Sequence, residues 1–146
     1  MSLNEEVVIN RNIKAPQKHV FEAWIKPETI KGFMFPMPGT SISKASVDAK
    51  EGGEYSIVMT VGENNIPIHG KYNKVKKFQE LEFTWLSDHV GQNSLINLMF
   101  TPISDNETSL TLRHIGFEDK QQKENHEGGW NAILNNLEEL VAAVAA

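Results

Sequence analysis

The sequence predicts an α+β fold, with a curved antiparallel sheet of about six to seven strands wrapped around a long C-terminal helix in the order β-α-α-β-β-β-β-β-β-α. Three observations lead there. From about residue 43 to residue 117 the chain reads as strand after strand joined by short turns, which implies antiparallel pairing. Helical periodicity is confined to two short segments near the N-terminus and one long segment at the C-terminus. Such a sheet has one wet and one buried face, and only the terminal helix is long and apolar enough to cover the buried one.

Taken in order, "EEVVINRNI" (5–13) reads as the first strand. "KAPQKHVFEAWI" then changes period: Pro16 suits a first helical turn, Val20, Ala23 and Trp24 recur at helical spacing, and Pro27 ends the helix. "PETIKGF" predicts a second short helix broken at Gly32. The apolar loop "FMFPMPG" must be covered by another element or touch a ligand. "SKASVDA" opens the run of strands. Tyr55, Ile57, Met59 and Val61 alternate, "ENN" makes a turn, and "IPIHGKYNKVKKF" is a long strand. Leu81, Phe83 and Trp85 alternate against Glu82 and Thr84, a half-buried pattern. "NSLINLMFTPI" and "ETSLTLRHIGF" follow around the turn "SDN". Asp119 with Gln122 three residues on has the capping-box spacing and starts the last helix. Trp130, Ile133, Leu134, Leu137, Val141 and Val144 form its apolar stripe, opposite Asn131, Asn135, Glu138 and Glu139.

The chain has 146 residues, 40% of them hydrophobic and 23% charged, which is ordinary for a soluble globular protein and fits one domain over 1–146. Its formal net charge is −5 with no cluster of lysine and arginine, so nucleic acid is not an expected partner. It contains no cysteine, which removes disulfides, thiolate nucleophiles and cysteine zinc sites and fits a cytoplasmic location. "MSLNEEVVIN" lacks the features of a signal peptide, and no window approaches the ~20 apolar residues of a membrane span. The five histidines show no paired metal-ligand spacing, and no nucleophile-elbow motif is present, so neither a metal nor another cofactor is expected.

Several segments together resemble a known family. "IKAPQKHVFEAWIKPETI" (13–30), "EGGEYSIVM" (51–59), "GKYNKV" (70–75), "LEFTW" (81–85), "LTLRHIGF" (110–117) and "HEGGW" (126–130) are similar, in order and over almost the whole chain, to START-like (SRPBCC) proteins. The branch they resemble is the activator of heat-shock protein 90 ATPase homologue-like family, C-terminal-domain type. Phe33 stands where that family usually carries tryptophan. The resemblance implies the helix-grip (START/Bet v-like) fold, a soluble protein of the stress-response type, and either a ligand cavity or contact with a chaperone.

A sheet curved around a helix leaves a concave space in which small-molecule pockets form. The residues expected to line it are Phe33, Phe35, Tyr55, Met59, Tyr72, Phe83, Trp85, Phe100, Trp130 and Leu134, each with the alternative of plain core packing. His126 shares a helix face with Trp130, and alternation puts His114 on the apolar side of its strand. Two histidines directed into one interior make a polar spot able to orient a ligand. The alternative is that each is a core or rim histidine bonded to backbone. Gly128 and Gly129 interrupt a strong helix at a cost of about 1 kcal/mol each, which implies close approach to the sheet or a hollow beside Trp130. His69 is out of phase with Ile68 and Tyr72 and is expected to face solvent; Arg11 and Arg113, in strands, can pair with glutamates across the sheet and are expected on solvated faces.

The leading expectation is therefore non-catalytic binding of a small hydrophobic or amphipathic molecule by a monomer or homodimer. The resemblance implies a second, a module that stimulates a heat-shock protein 90-type chaperone ATPase. A third is a cyclase, dehydratase or hydrolase using His114 or His126 as general acid or base.

Overall fold

The computed structural model describes residues 6–36 and 38–145, with side chains to residue 142. The elements are β1 (Val7–Ile13), α1 (Gln17–Ala23), α2 (Pro27–Phe33), β2 (Thr40–Val47), β3 (Glu54–Val61), β4 (Asn64–Lys76), β5 (Glu80–Thr84), β6 (Leu95–Ser104), β7 (Glu107–Ile115) and α3 (Lys120–Ala145). All seven strands form one curled antiparallel sheet in the order β1-β7-β6-β5-β4-β3-β2, matching the expected helix-grip arrangement. The first predicted strand residue, Glu5, Met37 of the apolar loop and the Val144 side chain lie outside what is described.

Period-two alternation decides which face is buried. Leu98 of β6 stands opposite Leu81 of β5 and Leu112 of β7, and all three are inaccessible to solvent. Across β7 the inward set is Thr108, Leu110, Leu112 and His114, while Arg113 turns outward to an ion pair with Glu6. Gly70 in β4 is required by close approach: a Cβ there would collide with the Thr84 carbonyl and the Tyr55 ring. Beside it β4 shifts register against β5, between Tyr72 and Lys74, and the Tyr55 hydroxyl donates to the Thr84 carbonyl at 2.5 Å. His69 lies exposed on the outer surface.

α3 crosses the concave face. Its start is capped by Asp119, whose carboxylate accepts the Gln122 N–H at 2.8 Å, and the Gln122 side chain reaches back to the Glu118 N–H at 2.9 Å. Its 26 residues span about 39 Å. The middle and end of the helix are anchored. Leu134, Leu137 and Val141 are buried, and Asn136 donates to the carbonyls of Phe33 and Phe35, which covers the apolar loop.

Two expectations need correction. Gly32 does not break α2, which continues to Phe33. A Cβ at Gly32 would sit 3.3 Å from Leu140, so this stretch of helix is held by α3. Arg11 is not on a solvated face. It lies in phase with Val7 and Ile13 on the inner side of β1, where its guanidinium binds Glu138 at 2.7 Å, Asn135 at 2.8 Å and Asn131 at 3.0 Å. It ties an edge strand to the covering helix.

Candidate functional site: an apolar cavity under the first half of the long helix

The concave face is not filled evenly. Under β3, β4 and β5 the Phe83 ring packs edge-on to Tyr55 and Tyr72, which are tilted against each other, with centroids 5.4–5.7 Å apart. With Trp24, Ile30 and Met34 they leave only about 10 Å³ of space. Burial drives both tyrosine hydroxyls well above their ordinary pKa, and Tyr55 is raised further by Tyr72 beside it, so both stay protonated. Nearer the start of α3 the packing opens. Met59 of β3, Ile66 and Ile68 of β4 and Trp85 after β5 face Gly129, Trp130 and Ile133 of α3 across a cavity of about 150 Å³, with Pro36 alongside. An apolar cavity of ~150 Å³ accommodates benzene.

The two glycines acquire their account here. Gly128 is exposed, and a Cβ on it would meet nothing within 4 Å. Gly129 lines the cavity, where a Cβ would touch Pro36 at 3.4 Å. Neither glycine brings the helix against the sheet; Gly129 keeps the wall of the hollow beside Trp130 free of a side chain.

The histidines separate into two roles. His114 is fully buried behind Trp130, whose indole N–H donates to His114 Nδ1 at 2.9 Å. Because that nitrogen accepts, Nε2 carries the proton and donates to the Ser94 hydroxyl at 2.6 Å. Burial above all, with His126 nearby, pushes the His114 pKa down to about 3, so the ring is neutral and both nitrogens are used. It positions Trp130 and has no free nitrogen for a ligand. His126, half-buried, packs edge-on to His114 at 5.3 Å and against Phe117 at 5.2 Å. Its Nδ1 lies 2.8 Å from the Gln122 carbonyl, an acceptor only, so Nδ1 holds the proton. Nε2 has no hydrogen-bond partner among the described residues.

Of the residues expected at the site, Met59, Trp85, His126 and Trp130 line this cavity. Tyr55, Tyr72 and Phe83 belong to the filled aromatic cluster, and Phe33 packs on Trp24 with centroids 5.0 Å apart. Phe100 packs on Phe21 at 5.3 Å, Leu134 is core, and Phe35 is half-buried with its carbonyl held by Asn136. Pro36, Ile66, Ile68, Ser87, His89, Asn125, Gly129 and Ile133 also line the cavity. The alternation of Ile66 and Ile68 was a usable signal for two of them; Ser87 and His89 sit in a loop with no period to read.

The sequence profile of the family described as Activator of Hsp90 ATPase homolog 1-like protein matches residues 14–142. The chain belongs to that family. No curated protein sequence matches it. Among solved structures, this AHSA1-like chain resembles a protein from Chromobacterium violaceum (22% identity, 93% of this chain and 96% of that one covered, TM-score 0.83). A protein from Nitrosomonas europaea is similar at 24% identity, with 98% and 97% covered and a TM-score of 0.81. An AHSA1-like protein from Aeromonas hydrophila matches at 20% identity, with 95% and 93% covered and a TM-score of 0.80. At these identities the likeness is one of fold. No described helix of the AHSA1-like chain is long and apolar enough to cross a membrane.

Proposed function

We propose that this AHSA1-like chain binds a small hydrophobic or amphipathic molecule, without covalent chemistry, in the cavity between β3–β4 and the first half of α3. One observation carries the reading: an apolar space of about 150 Å³ stays open beside an aromatic cluster packed down to about 10 Å³. Unfilled apolar walls forfeit dispersion contacts that an occupant restores. The lack of cysteine suits work in the cytoplasm.

A panel of single-ring and short-chain apolar compounds, read by thermal shift and by tryptophan emission, tests it. Trp85 and Trp130 both line the cavity, so an occupant reports on itself. We expect members of the panel to raise the melting temperature and change the emission of the wild type. Gly129→Leu, which places a side chain at the cavity wall, should abolish both responses. No response at high compound concentration overturns the reading.

The family match supports a second reading, stimulation of a heat-shock protein 90-type ATPase by surface contact. Turnover of the cognate chaperone with and without this protein decides it, and unchanged turnover removes it.

A further inference from the structure

Within that reading, the cavity walls say more about the occupant. No lysine, arginine, aspartate or glutamate is among the described residues that line the cavity. An anionic ligand would enter with its charge unpaired, which is costly away from water. Fatty acids and other carboxylates are therefore poor candidates for the enclosed part of the site.

Polar recognition is left to few groups. His89 and Asn125 are exposed and form the wet side of the lining, while Ser87, half-buried, accepts the His89 N–H at 3.1 Å. His126, half-buried like Ser87, is the one held between neighbouring rings. Its Nδ1 proton is committed to the Gln122 carbonyl, and the rings of His114 and Phe117 fix its plane. Burial, reinforced by His89 and opposed by the Gln122 bond, holds His126 below its ordinary pKa, so the ring is neutral and Nε2 bears a lone pair. At His126 the polar demand is thus for a donor.

We infer that the ligand is a neutral molecule whose buried end is one apolar ring, or a group of that size, carrying a single hydroxyl or N–H donor that bonds His126 Nε2. Phenols, benzylic alcohols and indole-like compounds have this chemistry. Toluene has the size without the donor, anisole has an acceptor only, and benzoate has the charge the lining excludes. The inference rests on the cavity-binding proposal above, and the two fail in different ways.

The experiment is calorimetric titration of the wild type and His126→Phe with phenol, toluene, anisole and benzoate. The variant keeps an aromatic ring and removes the acceptor. After correction for each compound's transfer from water, we expect phenol to bind the wild type roughly three- to tenfold more tightly than toluene or anisole. That advantage disappears in His126→Phe while toluene binding persists, and benzoate is the weakest. If phenol, toluene and anisole bind equally after the same correction, donor recognition is overturned while the cavity proposal stands. If benzoate binds best, the exclusion of anions is overturned. If none of the four binds, both proposals fall. Should His126→Phe not fold, ring ¹⁵N chemical shifts of the wild type decide instead. The inference expects His126 protonated on Nδ1 and bare on Nε2, with the Nε2 signal moving on addition of phenol but not toluene; a proton on Nε2 in the free protein overturns it.

Discussion

The two halves of α3 meet the same curled sheet and treat it differently. Beyond Ile133 the helix is seated: Leu134 and Leu137 are inaccessible to solvent, Asn136 holds the loop after α2, and Arg11 of β1 reaches across to Asn135 and Glu138. Before Ile133 the same helix presents His126, Gly129 and Trp130 to open space above Met59, Ile66 and Ile68. The turns anchored by Leu134, Leu137 and Arg11 thus follow, along one helix, the turns that border the proposed binding site.

The largest expected effect lies at the seated end. Leu137→Ala should cost about 2–5 kcal/mol in urea denaturation, since it opens a new cavity in a filled core. Ile133→Ala, whose side chain already borders empty space, should fall at or below about 2 kcal/mol. Equal losses would erase the distinction between the two halves.

A smaller effect comes from the seam, where His114 holds Trp130. Unfolded, a histidine takes up its proton near pH 6.5, but folded His114 resists protonation until about pH 3. The unfolded chain therefore binds more protons throughout that window. Stability is fully present above pH 6.5 and is lost as pH falls toward 3, by about 2 kcal/mol between pH 7 and pH 5. His126, also held low by burial, acts in the same direction. Denaturation midpoints measured across this range should show the decline, and His114→Gln should remove the larger share of it. A flat wild-type profile would contradict the buried neutral ring.

How much of this could be read from the sequence depends on what each signal measures. Alternation of Leu81, Phe83 and Trp85 reports burial directly, so the strands and their inner faces were legible, as was the apolar stripe of α3. The same alternation put Arg11 in phase with Val7 and Ile13, a sign that it faces the helix; charge alone suggested solvent. Where α3 crosses the sheet is a tertiary fact with no periodic trace. It decides that His114 meets the Trp130 indole while His126 keeps a free nitrogen, and that Tyr55, Tyr72 and Phe83 fill space while Met59 and Trp85 border it. Pro36 was foreshadowed by an apolar loop that needed a neighbour. Ser87 and His89 were not, because their loop has no repeat.

The smallest effect separates the two glycines. Gly128→Ala, exposed and without neighbours, should gain about 0.5–1 kcal/mol from helix propensity alone and leave ligand binding unchanged. Gly129→Ala should gain no more than that and weaken binding, because its methyl sits on the cavity wall against Pro36. Identical behaviour of the two variants would show that the wall is not where the ligand lies.

The most direct test of the central claim is methyl NMR of the wild type during titration with toluene. Resonances of Met59, Ile66, Ile68 and Ile133 should move together and saturate, while those of Leu137 and Val141 stay in place. No movement, or movement centred on Leu137 and Val141, would contradict an open site under the first half of α3.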